Sequence, residues 1–181
     1  MELKKAAMAM TEAFRGEFTQ KVDGKARISI PAAFRRILEA DDPQPSENAR
    51  PRLYMVYGGK GRTFVECYSK RGADQLAADI EAMDMGSPER TRAERDLISR
   101  SVMVEIEPDG RIVLPGKVRE KMGFAGDLPA AAEAAFAGFT NRFRLYRREV
   151  YEAELAEDED DDIDPLTLVG RHAASQNRRT G

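Results

Sequence analysis

The chain has 181 residues, 41% of them hydrophobic and 34% charged, enough for one compact body of about 140 residues with tails or for two intertwined halves of about 70. No apolar run approaches the roughly 20 residues of a membrane helix. The opening Met1–Met10 stretch is too poor in apolar residues for a secretory signal, and the single cysteine, Cys67, excludes an internal disulfide framework and a cysteine metal cage, so a cytoplasmic protein is expected. The net charge of −3 conceals an uneven distribution, because nine acids (Glu152, Glu154, Glu157, Asp158, Glu159, Asp160, Asp161, Asp162 and Asp164) share one stretch free of basic residues, leaving 29 basic residues against 23 acidic ones elsewhere, a balance of +6. A mildly basic body is compatible with a polyanionic partner, and the acidic run reads either as a solvated, disordered tail or as a partner-binding segment.

In chain order, Phe18-Thr19-Gln20-Lys21-Val22 is a weak strand pattern that runs into Val22-Asp23-Gly24-Lys25-Ala26-Arg27-Ile28-Ser29-Ile30-Pro31. This segment returns without a gap, 84 residues later, as Ile106-Glu107-Pro108-Asp109-Gly110-Arg111-Ile112-Val113-Leu114-Pro115, following the cleaner strand Val102–Ile106. A repeat this long indicates a duplicated structural unit. Each copy reads as strand, tight turn, arginine and strand, and Pro31 and Pro115 then open short helices with Phe34, Ile37 and Leu38 on one apolar face and Val118 and Met122 on the other copy's. Leu53–Tyr57 and Phe64–Tyr68, joined by Gly58-Gly59-Lys60-Gly61-Arg62, predict a hairpin, matched in the second half by Ala134–Ala137 and Phe143–Tyr146. Cys67 lies in such a strand, as core packing. Between the halves, Ala73, Leu76, Ala77, Ile80 and Met83 are spaced for a helix capped by Ser69, and Ser87-Pro88-Glu89 starts another leading to Leu97 and Ile98; Val150, Tyr151 and Leu155 suggest a last one. A four-stranded unit of about 50 residues with one apolar face must bury it against a second copy.

The only histidine, His172, lies in the polar tail, so a histidine base, a Ser/His/Asp triad and a histidine metal site are not expected. The glycine-rich hairpin turn lacks the spacing of a phosphate loop, and the tail carboxylates lack regular ligand spacing. No enzyme, cofactor or metal is therefore expected. What remains is arginine chemistry. Arg27 and Arg111 stand at equivalent junctions of turn and strand, amid Arg15, Lys21, Lys25, Arg35 and Arg36 in one copy and Arg100, Lys117, Arg119 and Lys121 in the other. A guanidinium pairs bidentately with phosphate or guanine, and a two-stranded ribbon fits the major groove. Equally, each arginine could pair with its motif acid, Asp23 or Glu107, to fix the turn; spacing leaves both readings open.

Phe14-Arg15-Gly16, followed by Asp23-Gly24-Lys25-Ala26-Arg27 and by Glu107-Pro108-Asp109-Gly110-Arg111, resembles the MraZ family of bacterial transcriptional regulators over roughly residues 14 to 155, including Asn141-Arg142-Phe143. The resemblance implies an α+β fold, a β-barrel-like pseudo-dimer of two tandem AbrB-like swapped-hairpin units with covering helices: a flexible extension at 1–13, repeats at 14–83 and 84–155, and an acidic, disordered tail at 156–181. It implies a sequence-specific regulator, by family habit a repressor, of the division and cell-wall gene cluster that includes its own gene. Such a protein would bind tandem direct repeats in double-stranded DNA as a ring homo-oligomer within the nucleoid, with no membrane or small-molecule substrate. The motif arginines fall on Arg27 and Arg111, with Arg15, Lys25 and Lys117 as further DNA contacts and Asp23 and Glu107 as the acids supporting the turns. Two positions depart from the family pattern: Ala26 replaces a glycine, at a cost of about 1–2 kcal/mol if the turn is left-handed there, and Glu107 replaces an aspartate. A rival from another class is a protein-binding module, antitoxin-like or scaffolding, that uses the acidic tail.

Overall fold

The computed structural model describes residues 12–44, 46–158 and 162–179; the first eleven residues of the expected extension, and residues 159–161 and 180–181 of the expected tail, lie outside them. Residues up to Val150 form one compact unit and those from Tyr151 onward a second.

In the first unit, strand β1 (Glu17–Lys21) leads through the first repeated turn to β2 (Arg27–Ser29) and helix α1 (Ala32–Ala40). The hairpin β3 (Arg52–Val56) and β4 (Val65–Ser69) follows, then α2 (Lys70–Glu81), α3 (Pro88–Ala93) and a π-helical turn (Glu94–Ser99). The order begins again with β5 (Ser101–Glu105), β6 (Arg111–Val113), α4 (Gly116–Met122), β7 (Glu133–Gly138) and β8 (Phe143–Arg147). Helix α5 (Arg148–Asp158) leaves the sheet, and the second unit carries α6 (Pro165–Arg179).

Among the described residues the strands form a six-stranded antiparallel sheet in the order β1-β7-β8-β4-β3-β5 and a separate ribbon of β2 with β6. One expectation changes here: the sheet ends at β1 and β5 and does not close into a barrel. The strands flanking each repeated turn pair across the halves: β1 pairs with β7, β5 with β3, and β2 with β6. Three residues of β2 and three of β6 are too short to cover a sheet edge, so each half's opening strand finds its ladder in the other half. Exchanging β1 with β5, β7 with β3, β8 with β4 and β2 with β6 returns the same pairing order.

The core lies between these crossed halves. Phe34 of α1 is fully buried and stacks on Phe143 of the second half's hairpin, with centroids 4.9 Å apart, while Phe14 meets Phe34 edge-on at 5.4 Å. Ile37 and Leu38, one turn along the helix, complete its buried face. In α4 the same job falls to Val118 and Met122, and the helix stops at Gly123, which takes the left-handed conformation at φ 78°. Ser69 and Ser87 cap α2 and α3 as expected, accepting from the Gly72 and Arg90 amides, but α2 buries only Ile80 of its apolar residues. Where the sequence pattern gives a disordered tail, Pro165–Arg179 are helical: the Asp164 carboxylate accepts from the Leu166 amide and a proline occupies the first turn.

Candidate nucleic-acid interface

The ribbon carries the repeated motif outward. Ile28 faces Ile112 at its centre, with Arg27 opposite Val113 and Ser29 opposite Arg111. Both isoleucines are 1% exposed. Because side chains alternate along a strand, the flanking four residues share the other face: Arg27, Ser29, Arg111 and Val113. On that face the arginines are diagonal neighbours, about 7–8 Å apart at their Cα atoms, with side chains 33% and 37% exposed.

Each turn closes on itself and then hands a carbonyl to the opposite strand. In the first, the Asp23 amide donates to the Arg27 carbonyl (3.1 Å) and the Ala26 amide to the Asp23 carbonyl (2.9 Å); in the second, Glu107 donates to Arg111 (2.9 Å) and Gly110 to Glu107 (2.8 Å). Leu114 then donates to the Ala26 carbonyl (2.8 Å) and Ile30 to that of Gly110 (3.0 Å), so each turn is tied to the strand leaving the other. Ala26 is left-handed at φ 60° and Gly110 at φ 81°. The alanine therefore bears the backbone cost that the glycine avoids.

The arginines are held by different acids. The Asp23 carboxylate accepts from the Lys25 and Arg27 amides (both 2.9 Å) and from Arg27 Nε (2.8 Å). Arg111 Nε donates to Asp109 (2.7 Å), whose other oxygen accepts from the Arg111 amide (3.1 Å). Of the readings that the spacing left open, Arg111 takes a carboxylate partner other than Glu107: Glu107 enters the turn through its backbone, and Asp109, two residues before the arginine, supplies the carboxylate. The bond from the Arg27 amide holds the Asp23 carboxyl below the ordinary range, and the Arg111 side chain does the same for Asp109. Both ion pairs are made through Nε, at one edge of a guanidinium that has five N–H donors.

Lys25 is exposed in the first turn, and Arg15 is exposed just before β1. Lys117 opens α4, exposed, 3.6 Å from Glu120, and lines a surface depression with Tyr57, Lys60 and Arg100. Among the described residues no group of His, Cys, Asp and Glu could hold a metal ion, and no helix is long and apolar enough to cross a membrane.

No protein-family model matches the chain. A protein of Cereibacter sphaeroides named Transcriptional regulator MraZ is 49% identical over 152 residues, covering 83% of this chain and 89% of the relative. This chain belongs to the MraZ family of transcriptional regulators. Proteins of the same name from Ruegeria pomeroyi and Parvibaculum lavamentivorans are 38% identical over 167 residues (88% of this chain, 96% of the relative) and 29% over 140 residues (77% and 79%).

For an MraZ chain, the residues that sequence reasoning missed lie where β4 crosses β8. Glu66, 2% exposed, is opposite Arg144 and receives three arginines: Arg142 through Nε, and Arg144 and Arg62 each at 3.5 Å. The Arg144 guanidinium is stacked between the Phe64 and Phe139 rings, 4.0 Å from each centroid. The alternation of β4 offers no signal for this, because all five of its residues are buried. The pairing shows it instead: when the registers of the two hairpins are overlaid, Glu66 and Arg144 occupy equivalent positions, as Ile28 and Ile112 do in the ribbon. A carboxylate and a guanidinium can share such a position, whereas two of either would repel.

Proposed function

We propose that this MraZ-family regulator reads double-stranded DNA with the outward face of the β2–β6 ribbon, in a tandem of two AbrB-like swapped-hairpin units spanning residues 14–83 and 84–155. The observation that carries this reading is the placement of Arg27 and Arg111 on one face of a two-stranded ribbon, each tethered by an aspartate through Nε. A ribbon of this kind enters the major groove, where a guanidinium pairs with guanine O6 and N7. The aspartates limit the rotamers of the arginines before DNA arrives, which lowers the ordering cost of binding. Arg15 and Lys25 supply phosphate contacts beside them, Asp23 and the Glu107 turn hold the geometry, and neutralised phosphates make binding fall with added salt.

Four ribbon positions are a small footprint. A ring of copies on tandem direct repeats in the promoter of its own gene multiplies it, so that avidity supplies affinity, and repression of the division and cell-wall cluster from the nucleoid follows from occupancy of that promoter. The test is fluorescence anisotropy on a repeat-bearing duplex and a scrambled one, with sedimentation velocity at the same concentrations. The expected result is preference for the repeats, lost by at least about tenfold in Arg27→Ala and in Arg111→Ala, with a multi-subunit species in the binding range. Equal binding to both duplexes, unmoved by either substitution, overturns the reading.

A further inference from the structure

A second basic surface, outside the ribbon, is assembled from three separate segments. The Gly58–Arg62 loop between β3 and β4, the end of the π-helical turn and the outer side of α4 meet in an open depression of about 420 Å³ lined by Lys60, Arg100, Lys117 and Lys121. Its construction is specific. The Tyr57 amide donates to the Arg100 carbonyl (2.9 Å), tying the loop to the π-helical turn. A side chain at Gly58 would place its Cβ 2.0 Å from the Asp96 carbonyl oxygen, so only glycine allows this approach. The Gly59 carbonyl then accepts from Lys121 Nζ (2.9 Å) and from the Arg62 amide (3.3 Å), and the Arg62 side chain folds back over Gly59.

Five cations thus gather around the loop, Lys60, Arg62, Arg100, Lys117 and Lys121. The carboxylates against the depression are fewer: Glu120 lies 3.6 Å from Lys117 and Asp96 2.7 Å from Arg100, with Arg62 reaching the buried Glu66 at 3.5 Å. Burial, and then the neighbouring Arg62, pull the Lys121 ammonium below the ordinary lysine value. The duplication does not demand this surface: 84 residues before Arg100, Lys117 and Lys121 stand Gly16, Ala33 and Ile37. Arg100, Lys117 and Lys121 therefore have no cationic counterpart in the first half, which contributes Lys60 and Arg62 from its own hairpin loop.

We infer that the depression formed by Lys60, Arg100, Lys117 and Lys121 is a phosphate-binding site that grips the DNA backbone beside the segment read by the ribbon. It rests on the DNA-binding reading above and adds a grip that the duplicated fold makes once, from segments of both halves, which gives each chain a direction on the duplex. The chemistry recognised is a phosphodiester anion. It carries no base information and acts through counterion release.

The test compares the full chain with a Lys60→Gln/Arg100→Gln variant on a repeat duplex with flanking base pairs, by anisotropy from low to high salt, with calorimetric titration of pyrophosphate beside it. Both changed side chains are exposed, and unchanged thermal melting shows that the fold persists. The expected result is a variant whose salt slope is shallower by about 0.9 for each phosphate that it leaves unneutralised, whose affinity falls several-fold at low salt, and which still prefers repeats over scrambled DNA. Unchanged slope and affinity with the repeat preference intact overturn the site and leave the ribbon reading standing. Pyrophosphate binding that the variant loses while its DNA slope stays at the original value overturns the DNA assignment in favour of a small phosphorylated ligand. A parent chain without any repeat preference overturns the ribbon reading instead.

Discussion

The turn that precedes Arg27 and the turn that precedes Arg111 make the same backbone bonds with different residues. At the first, an alanine sits in left-handed backbone, and Asp23 reaches forward to three donors, one on Lys25 and two on Arg27; at the second, a glycine takes that backbone conformation and Asp109 reaches forward two residues to two donors. The surroundings explain part of this difference. A Cβ at Gly110 would lie 1.7 Å from Arg35 Nη1, whereas Arg119, the counterpart of Arg35, turns away from Ala26 to donate to the Phe124 (3.2 Å) and Gly126 (2.5 Å) carbonyls. Space that one arginine fills over a glycine is space that the alanine methyl can occupy in the other half. The duplicated fold thus keeps its backbone bonds and lets side chains diverge around them.

The largest effect is expected at the point the halves share. Replacing Glu66 by alanine leaves Arg142, Arg144 and Arg62 facing one another where β4 meets β8, and chemical denaturation should show a loss of about 3 kcal/mol, the lower part of the range for a broken buried pair because Arg62 and Arg142 reach solvent. A loss below about 1 kcal/mol would mean that the cluster contributes little to joining the halves.

The two turns themselves should respond unequally to exchange of their residues. Gly110→Ala adds left-handed strain and drives a methyl into Arg35, so a loss of about 2 kcal/mol is expected. Ala26→Gly relieves about 1–2 kcal/mol of strain. It also removes a buried methyl worth about 0.8 kcal/mol and adds about 0.5–1 kcal/mol of backbone entropy, leaving a net change near zero. Equal losses at both positions would contradict the account of the turns.

A smaller difference is expected between the two acids. Asp23→Asn should lower the melting midpoint more than Asp109→Asn, because Asp23 satisfies an additional amide, that of Lys25. Both carboxyls are held below the ordinary value of about 3.9, by the Arg27 amide and by the Arg111 side chain respectively. Their contribution is therefore complete above the ordinary carboxylate range and is lost as pH falls through the lowered values. Melting curves recorded from about pH 5 downward should converge for the parent chain and each variant; a gap that persists under acid would assign the effect to packing.

The ribbon was largely legible from residue order, since an ungapped repeat with alternating Ile28–Ile30 and Ile112–Leu114 implies two equivalent turns and two equivalent strands. The helix faces of α1 and α4 followed from the spacing of Phe34, Ile37 and Leu38 and of Val118 and Met122. Strand partnership was not legible in the alternation itself, because that pattern names a buried face and not the neighbour at a strand's edge; the pairing of β1 with β7 is a tertiary choice. Asp109 was hidden by a motif that placed the acid at position 107, since a side chain two residues from the arginine reaches Nε as well as one four residues away. The Glu66 cluster joins residues 62, 66, 142 and 144, far apart in sequence, and only the β4–β8 register brings them together.

The most direct test of the ribbon reading is conservative replacement, Arg27→Lys and Arg111→Lys, with anisotropy on repeat and scrambled duplexes at one salt concentration. Lysine keeps the charge and loses the planar fork. If the two guanidiniums read bases, the ratio of repeat to scrambled affinity collapses towards one while binding to scrambled DNA persists; a ratio that survives both substitutions contradicts base reading by the ribbon and leaves Arg27 and Arg111 as turn supports.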